Sequence, residues 1–187
     1  ELIEKWHNKG RLRYAVTPRF APTSSSSQLN QAARLLNEYP SDDQTKGVLL
    51  QTHLNENDEE IAWVNDLFPD SNSYFGVYED HGITGNRSVF GHCIHNTEEE
   101  YQRMAKTGSK VSLCPTSNLF LGSGLFELEK LESYGIDVSL ASDVGGGDSF
   151  SMFKVMNEAY KICRLNDFNL DPIKAFYLTT LGAAKVL

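Results

Sequence analysis

Positive charge is scarce in this sequence, cysteine is scarcer, and long apolar runs are missing. Seventeen Lys and Arg stand against 25 Asp and Glu, a formal charge of -8 over 187 residues. A field of that sign repels phosphate backbones, which argues against a nucleic-acid polymer as partner and leaves neutral small molecules, free bases included. The three cysteines, Cys93, Cys114 and Cys163, are odd in number and far apart. That distribution suits reduced thiols in a cytoplasmic protein rather than a disulfide framework or the paired spacing of a structural zinc site. No apolar stretch approaches the ~18–20 residues of a membrane span, and no signal-like apolar segment opens the sequence. A glycine-rich phosphate turn after the first strand pattern is also lacking, which counts against a doubly wound nucleotide-binding sheet.

What is present is an ordinary globular composition, 40% hydrophobic and 22% charged, at a length that suits one domain over residues 1–187. Short β-branched or apolar runs occupy residues 12–16, 48–52, 88–91, 110–113 and 137–140, with helical patterns between them. Leu29, Ala32, Ala33, Leu36 and Tyr39 predict a helix over 28–39, preceded by a serine loop that supplies its N-cap. Ile61, Val64, Leu67 and Phe68 share one helical face, and Thr97 to Glu100 forms a capping box on a helix stopped by Gly108. Leu125, Leu128 and Leu131 predict another helix ended by Gly135, residues 149–165 a longer one, and Asp171-Pro172 opens the last. The polar residues just after the runs are Arg19, His53, His92, Ser117 and Asp143, at intervals of 34, 39, 25 and 26 residues, close to the ~30 of one βα unit. Chemistry at the ends of successive parallel strands is the arrangement of a (β/α)8 barrel, which needs eight strands and ~250 residues. Five are legible here.

Three clusters carry chemistry. His53-Leu54-Asn55-Glu56 offers an imidazole for zinc and a carboxylate three residues on for moving protons; the bland alternative is a loop histidine and a helix-start acid. In Gly91-His92-Cys93-Ile94-His95, alternation at a strand end lets only one histidine face a site, and His92 beside the small Gly91 is the choice. His95 reads as helix-entry polarity. Asp143 follows an apolar strand and precedes Gly145, Gly146 and Gly147, a backbone able to approach a ligand closely or simply to turn. Asp148 and Ser149 are expected to cap the next helix. Cys114 has no basic neighbour and is a poor nucleophile, so residues 114–124 are expected to be a loop that packs and shapes a pocket. His7 and His81 are expected to be solvated.

In register, these segments resemble the guanine deaminase family of the amidohydrolase superfamily from residue 11 to the end. The residues that carry the resemblance are Thr17-Pro18-Arg19-Phe20, His53-x-x-Glu56, Gly91-His92-Cys93, residues 114–126 (CPTSNLFLGSGLF) and 142–152 (SDVGGGDSFSM). The His-x-x-Glu and strand-end His and Asp are shared with cytosine deaminases and triazine chlorohydrolases; the Arg-Phe pair and the triple glycine followed by SFSM are narrower. The resemblance implies an α/β fold that is the C-terminal portion, about five βα units, of a TIM-type barrel, with its first strands outside this sequence. It implies one zinc ion per site held by His53 and Asp143, with Glu56, His92 and Asp143 catalytic. Glu56 would shuttle protons, His92 would orient water and substrate, and Arg19 and Phe20 would hold the purine. The substrate would be guanine, hydrolysed to xanthine and ammonia, in a cytoplasmic enzyme for which a homodimer is also to be considered. The family's His-x-His pair occurs nowhere in the sequence, so two further histidine ligands are expected outside it and the isolated chain is expected to be inactive. Other amidohydrolases of triazines, pterins or S-adenosyl nucleosides, and a non-catalytic barrel fragment, are the alternatives.

Overall fold

In the computed structural model, which describes residues 1–42 and 46–187, every strand runs parallel to its neighbour and pairs with the next strand in sequence. The strands are β1 (Ala15–Val16), β2 (Leu49–Leu54), β3 (Ser88–His92), β4 (Lys110–Leu113) and β5 (Val138–Leu140). Unbroken sequential order is what an arc of a (β/α)8 barrel requires; a doubly wound sheet reverses direction part-way. The helices are α1 (Leu2–Trp6), α2 (Ser26–Glu38), α3 (Asp58–Leu67), α4 (Tyr74–Asp80), α5 (Glu98–Thr107), α6 (Pro115–Leu121), α7 (Leu128–Ser133), α8 (Met152–Leu165), α9 (Pro172–Thr179) and α10 (Leu181–Val186), with a 3-10 turn at Ala21–Thr23.

The helix starts follow local chemistry. Ser25 accepts the amide of Gln28, so α2 begins two residues earlier than its apolar spacing suggests. The capping box of Thr97 and Glu100 forms, and Gly108 ends α5 in the left-handed region. Asp171 accepts two amides ahead of α9. Segment 115–121, expected to be loop, is helical: Pro115 opens it and the left-handed Gly122 closes it, the usual asymmetry of a helix. Helix α8 begins at Met152 and not at 149. Asp148 pairs with Lys154 instead of capping, and Ser149 accepts the amide of Ser151. His7 and His81 are not solvated: His7 bridges the Lys46 carbonyl and the Tyr14 amide, and the half-buried His81 bonds the Val77 carbonyl and packs edge-on against Phe68.

The sheet has two chemically different faces, because successive side chains alternate. Leu54, Phe90, Val111, Leu113 and Val138 belong to the apolar core packed under the helices. On the other face, register puts His53 beside Gly91, Gly91 beside Ser112 and Ser112 beside Ser139. A row of such small side chains cannot fill the space over the sheet, and a cavity of about 410 Å3 lies there. His53, His92, Cys114 and Asp143 border it, as do Val186 and Leu187 of the chain's end. Two cations fasten that end to the strands' starting edge. Lys110 donates to the carbonyls of Lys185 and Val186, and Arg13 to that of Leu187.

Arg87, just before β3, donates to the carbonyls of Leu36, Tyr39 and Val48 and so ties the end of α2 to the sheet. Arg87→Met removes the guanidinium from the Leu36 and Val48 carbonyls, while the Tyr39 carbonyl keeps the Val48 amide, and is expected to cost about 2–3 kcal/mol, read as a lower urea midpoint. An unchanged midpoint would show that water replaces the guanidinium without loss.

Candidate active site

The site begins at one carbonyl. Arg19 follows β1, and its oxygen accepts from the His53 amide at 3.1 Å, the Thr52 hydroxyl at 3.1 Å and His53 Nδ1 at 2.6 Å. A carbonyl only accepts, so the ring proton sits on Nδ1 and the Nε2 lone pair is left free. Behind this contact the buried Tyr78 hydroxyl donates to the His53 carbonyl and accepts from the Ala21 amide. Burial pushes its pKa up to about 12, so it remains a neutral donor. Phe20 lies 5.8 Å from the His53 ring and meets Trp63 edge-on, and the exposed Arg19 guanidinium stacks over Phe20 at 4.7 Å. No carboxylate pairs with Arg19 among the described residues.

His92 reaches the cavity by a different device. Its partner in register is Leu54, a core residue, and strand alternation alone would send the imidazole into the core with Phe90. The backbone turns left-handed at His92 (φ 71°) and again at Cys93 (φ 52°), and His92 lines the cavity, its ring 5.0 Å from that of His53. The turn is held by Cys93 donating to the Leu54 carbonyl, and by Ile94 and His95 both donating to the carbonyl of Asn55, itself left-handed. Strained backbone of this kind persists only where surrounding bonds impose it. His92 Nε2 stands 3.6 Å from Glu56 Oε2, and its Nδ1 meets the Asn118 amide nitrogen at 3.0 Å. Burial pushes the His92 pKa down, more than the Glu56 carboxylate raises it.

Asp143 follows β5 with φ 44°, in a turn closed by the Gly147 amide on its carbonyl. The glycines serve this turn. A Cβ on Gly147 would lie 2.1 Å from the Ser142 carbonyl oxygen and 2.7 Å from the Thr116 hydroxyl. Metal-capable atoms of His92, Cys114 and Asp143 fall within 4.8 Å of one another. Burial pushes the Cys114 thiol well up, and the nearby Asp143 charge adds to the shift. The thiol donates to the Ser112 carbonyl. His53, whose Nδ1 proton is fixed by a carbonyl and whose Nε2 lone pair is free, and the Asp143 carboxylate are of the donor types that zinc takes.

His53, Glu56, His92 and Asp143 therefore gather at one edge of the sheet, with Arg19 and Phe20 flanking His53. His95 turns away and braces the Ser123 carbonyl at 2.8 Å. Sequence reasoning missed four supporting residues. Asn118 and Ser123 touch His92 and Glu56, while Asn55 donates to Asn96 and Glu100, and Glu100 also accepts from the Phe75 amide. Reading 115–121 as a helix would have revealed Asn118, since that helix starts at the end of the strand beside β3.

The sequence model of the Amidohydrolase family matches residues 1–187. The chain belongs to the amidohydrolase family. It is 50% identical to guanine deaminase of Escherichia coli K12 over all of its own length, and covers 41% of that protein. Among solved structures it superposes on E. coli guanine deaminase with a TM-score of 0.94 at 49% identity, covering 100% of this chain and 42% of the other. Guanine deaminase from C. acetobutylicum, solved with guanine bound in its active site, gives 0.91 at 33% identity, covering 99% and 45%. The chain thus spans less than half the length of these amidohydrolases. The expected barrel arc is borne out, and no helix among the described residues is long and apolar enough to cross a membrane.

Gly147→Ala is expected to force the Asp143 turn open at a cost of about 1–3 kcal/mol, as overpacking does. Chemical denaturation measures this, and wild-type stability in the variant would mean that the turn has slack.

Proposed function

We propose that this amidohydrolase chain carries the working edge of a guanine deaminase, which hydrolyses guanine to xanthine and ammonia. The observation that carries the reading is the double use of Arg19. Its carbonyl fixes the free lone pair of His53, while its guanidinium stands over Phe20, beside the same ring, with no carboxylate partner among the described residues. A planar donor fork next to a prospective metal ligand suits a purine whose carbonyl must be held while the neighbouring carbon is attacked. The 50% identity to E. coli guanine deaminase supports the same substrate.

In this reading His53 and Asp143 hold zinc, and the other histidine ligands come from outside these 187 residues. When bound, zinc supplies the Lewis acidity that lets water act as a nucleophile at neutral pH. Glu56, a carboxylate at rest, would relay one proton of the attacking water to ring N3, which makes C2 electrophilic. Its Oε1 is steadied by the Ser123 hydroxyl at 2.9 Å, leaving Oε2 on the side of His92. Asp143 would accept the water's other proton and pass it to the amino group, which leaves as ammonia, and His92 would orient water and purine from its buried position. Phe20 gives the base a face to pack on, and Arg19 donates to the ring carbonyl oxygen. The reading extends to a cytoplasmic enzyme, supported by three buried, unpaired thiols, and to a homodimer, which sedimentation would test.

The protein carrying this chain, loaded with zinc, is expected to release ammonia from guanine. Arg19→Met is expected to lower kcat/KM for guanine by roughly 5- to 150-fold, the worth of about 1–3 kcal/mol for an oxygen left unpaired. A 2-aminopurine lacking that oxygen should lose little. Equal losses on both substrates, or none on either, would remove Arg19 from purine recognition.

A further inference from the structure

Helix α6 carries a side chain that the proposed chemistry does not yet use. Asn118 is completely buried, its Nδ2 meets His92 Nδ1 at 3.0 Å, and its Oδ1 has no hydrogen-bond partner among the described residues. We propose that Asn118 is a positioning residue that fixes the tautomer of His92, so that the imidazole presents an N–H to Glu56 and to the substrate.

The argument is one of donors and acceptors. An ionised carboxylate only accepts, so the nitrogen facing Glu56 Oε2 across 3.6 Å is favoured as N–H. A neutral imidazole has one such proton, and with it on Nε2 the buried Nδ1 is a bare lone pair that needs a donor. The Asn118 amide nitrogen supplies it. With the amide turned over, Oδ1 would draw the proton to Nδ1 and leave two acceptors, Nε2 and the Glu56 carboxylate, facing each other. The orphaned Oδ1 is the cost of the arrangement that keeps Nε2–H pointed at the site.

The same stretch of chain steadies Glu56. Ser123 donates its amide to the Asn118 carbonyl at 2.9 Å and its hydroxyl to Glu56 Oε1 at 2.9 Å, while its own carbonyl accepts from His95 at 2.8 Å. One helix end thus grips the histidine and the carboxylate through the atoms that face away from their shared gap. Asn118 acts through His92 and Ser123 through Glu56.

The proposal rests on the reading of His92 and Glu56 as working residues, and its first test needs no turnover. Nitrogen-15 NMR of the histidine-labelled protein, with and without zinc, reads the His92 tautomer directly. The proton is expected on Nε2. A proton on Nδ1, or protonation of both nitrogens at neutral pH, overturns the proposal whether or not guanine is a substrate. Asn118→Asp, near-isosteric but accepting at both oxygens, is expected to move a proton onto Nδ1 and to lower kcat by ~10- to 100-fold, the usual scale for a residue behind a catalytic group. KM should stay within about twofold, a bound set by the absence of direct substrate contact. Ser123→Ala is expected to lower kcat while leaving the His92 tautomer unchanged. An unaltered tautomer in Asn118→Asp overturns the assignment. Should that variant fail to fold, the wild-type spectrum still decides. Wild-type protein with the expected tautomer and no guanine turnover would count against the proposed substrate and not against Asn118.

Discussion

The carbonyl oxygen of Arg19 lies where the chain leaves β1, and three donors of β2 converge on it: the Thr52 hydroxyl, the His53 amide and the His53 ring. Strand β1 is only two residues long, so this cluster continues the pairing past the point where regular ladder bonds stop. It also decides chemistry, because a ring nitrogen bound to a carbonyl must carry the proton. The free Nε2 follows from that one acceptor, and Phe20 and the exposed Arg19 side chain lie beside the ring it orients.

The remaining site residues depend on backbone that leaves the strand geometry at the rim. Asn55, His92, Cys93 and Asp143 are all left-handed without being glycine. For His92 the consequence is directional: a residue in register with a core leucine faces the cavity instead. Each such residue costs of order 1–3 kcal/mol, and the neighbouring structure must supply it. Here the supply is local and specific, through Leu54, Asn55 and the Gly147 turn. Gly147 is required for a close approach, since the Ser142 carbonyl occupies the place of its missing side chain.

The sequence carried the alternation of strands and helices, and with it the end-of-strand positions of His53, His92 and Asp143. Periodicity suffices there, because each βα unit buries its own apolar stripe. The capping box and Asp171-Pro172 were legible because cap chemistry is confined to four residues. Helix α6 was not, because its buried residues, Pro115 to Asn118, are mostly polar while Leu119, Phe120 and Leu121 are exposed, an order that leaves no apolar period. The aim of His92 was reached from the neighbouring glycine, yet its physical cause is a left-handed backbone that strand alternation does not foresee. His7, His81 and His95 illustrate a further limit. Their partners are backbone carbonyls, distant in sequence for His7 and His95 and one helical turn back for His81, and no side-chain pattern announces a carbonyl.

The central proposal is that His53 and Asp143, and not the nearby Cys114, hold the metal ion. Zinc-edge X-ray absorption of the zinc-loaded protein tests it most directly, because sulfur is distinguished from nitrogen and oxygen by distance. The account predicts a first shell of nitrogen and oxygen alone at about 2.0–2.2 Å. A sulfur scatterer at about 2.3 Å would put zinc on Cys114 and contradict it.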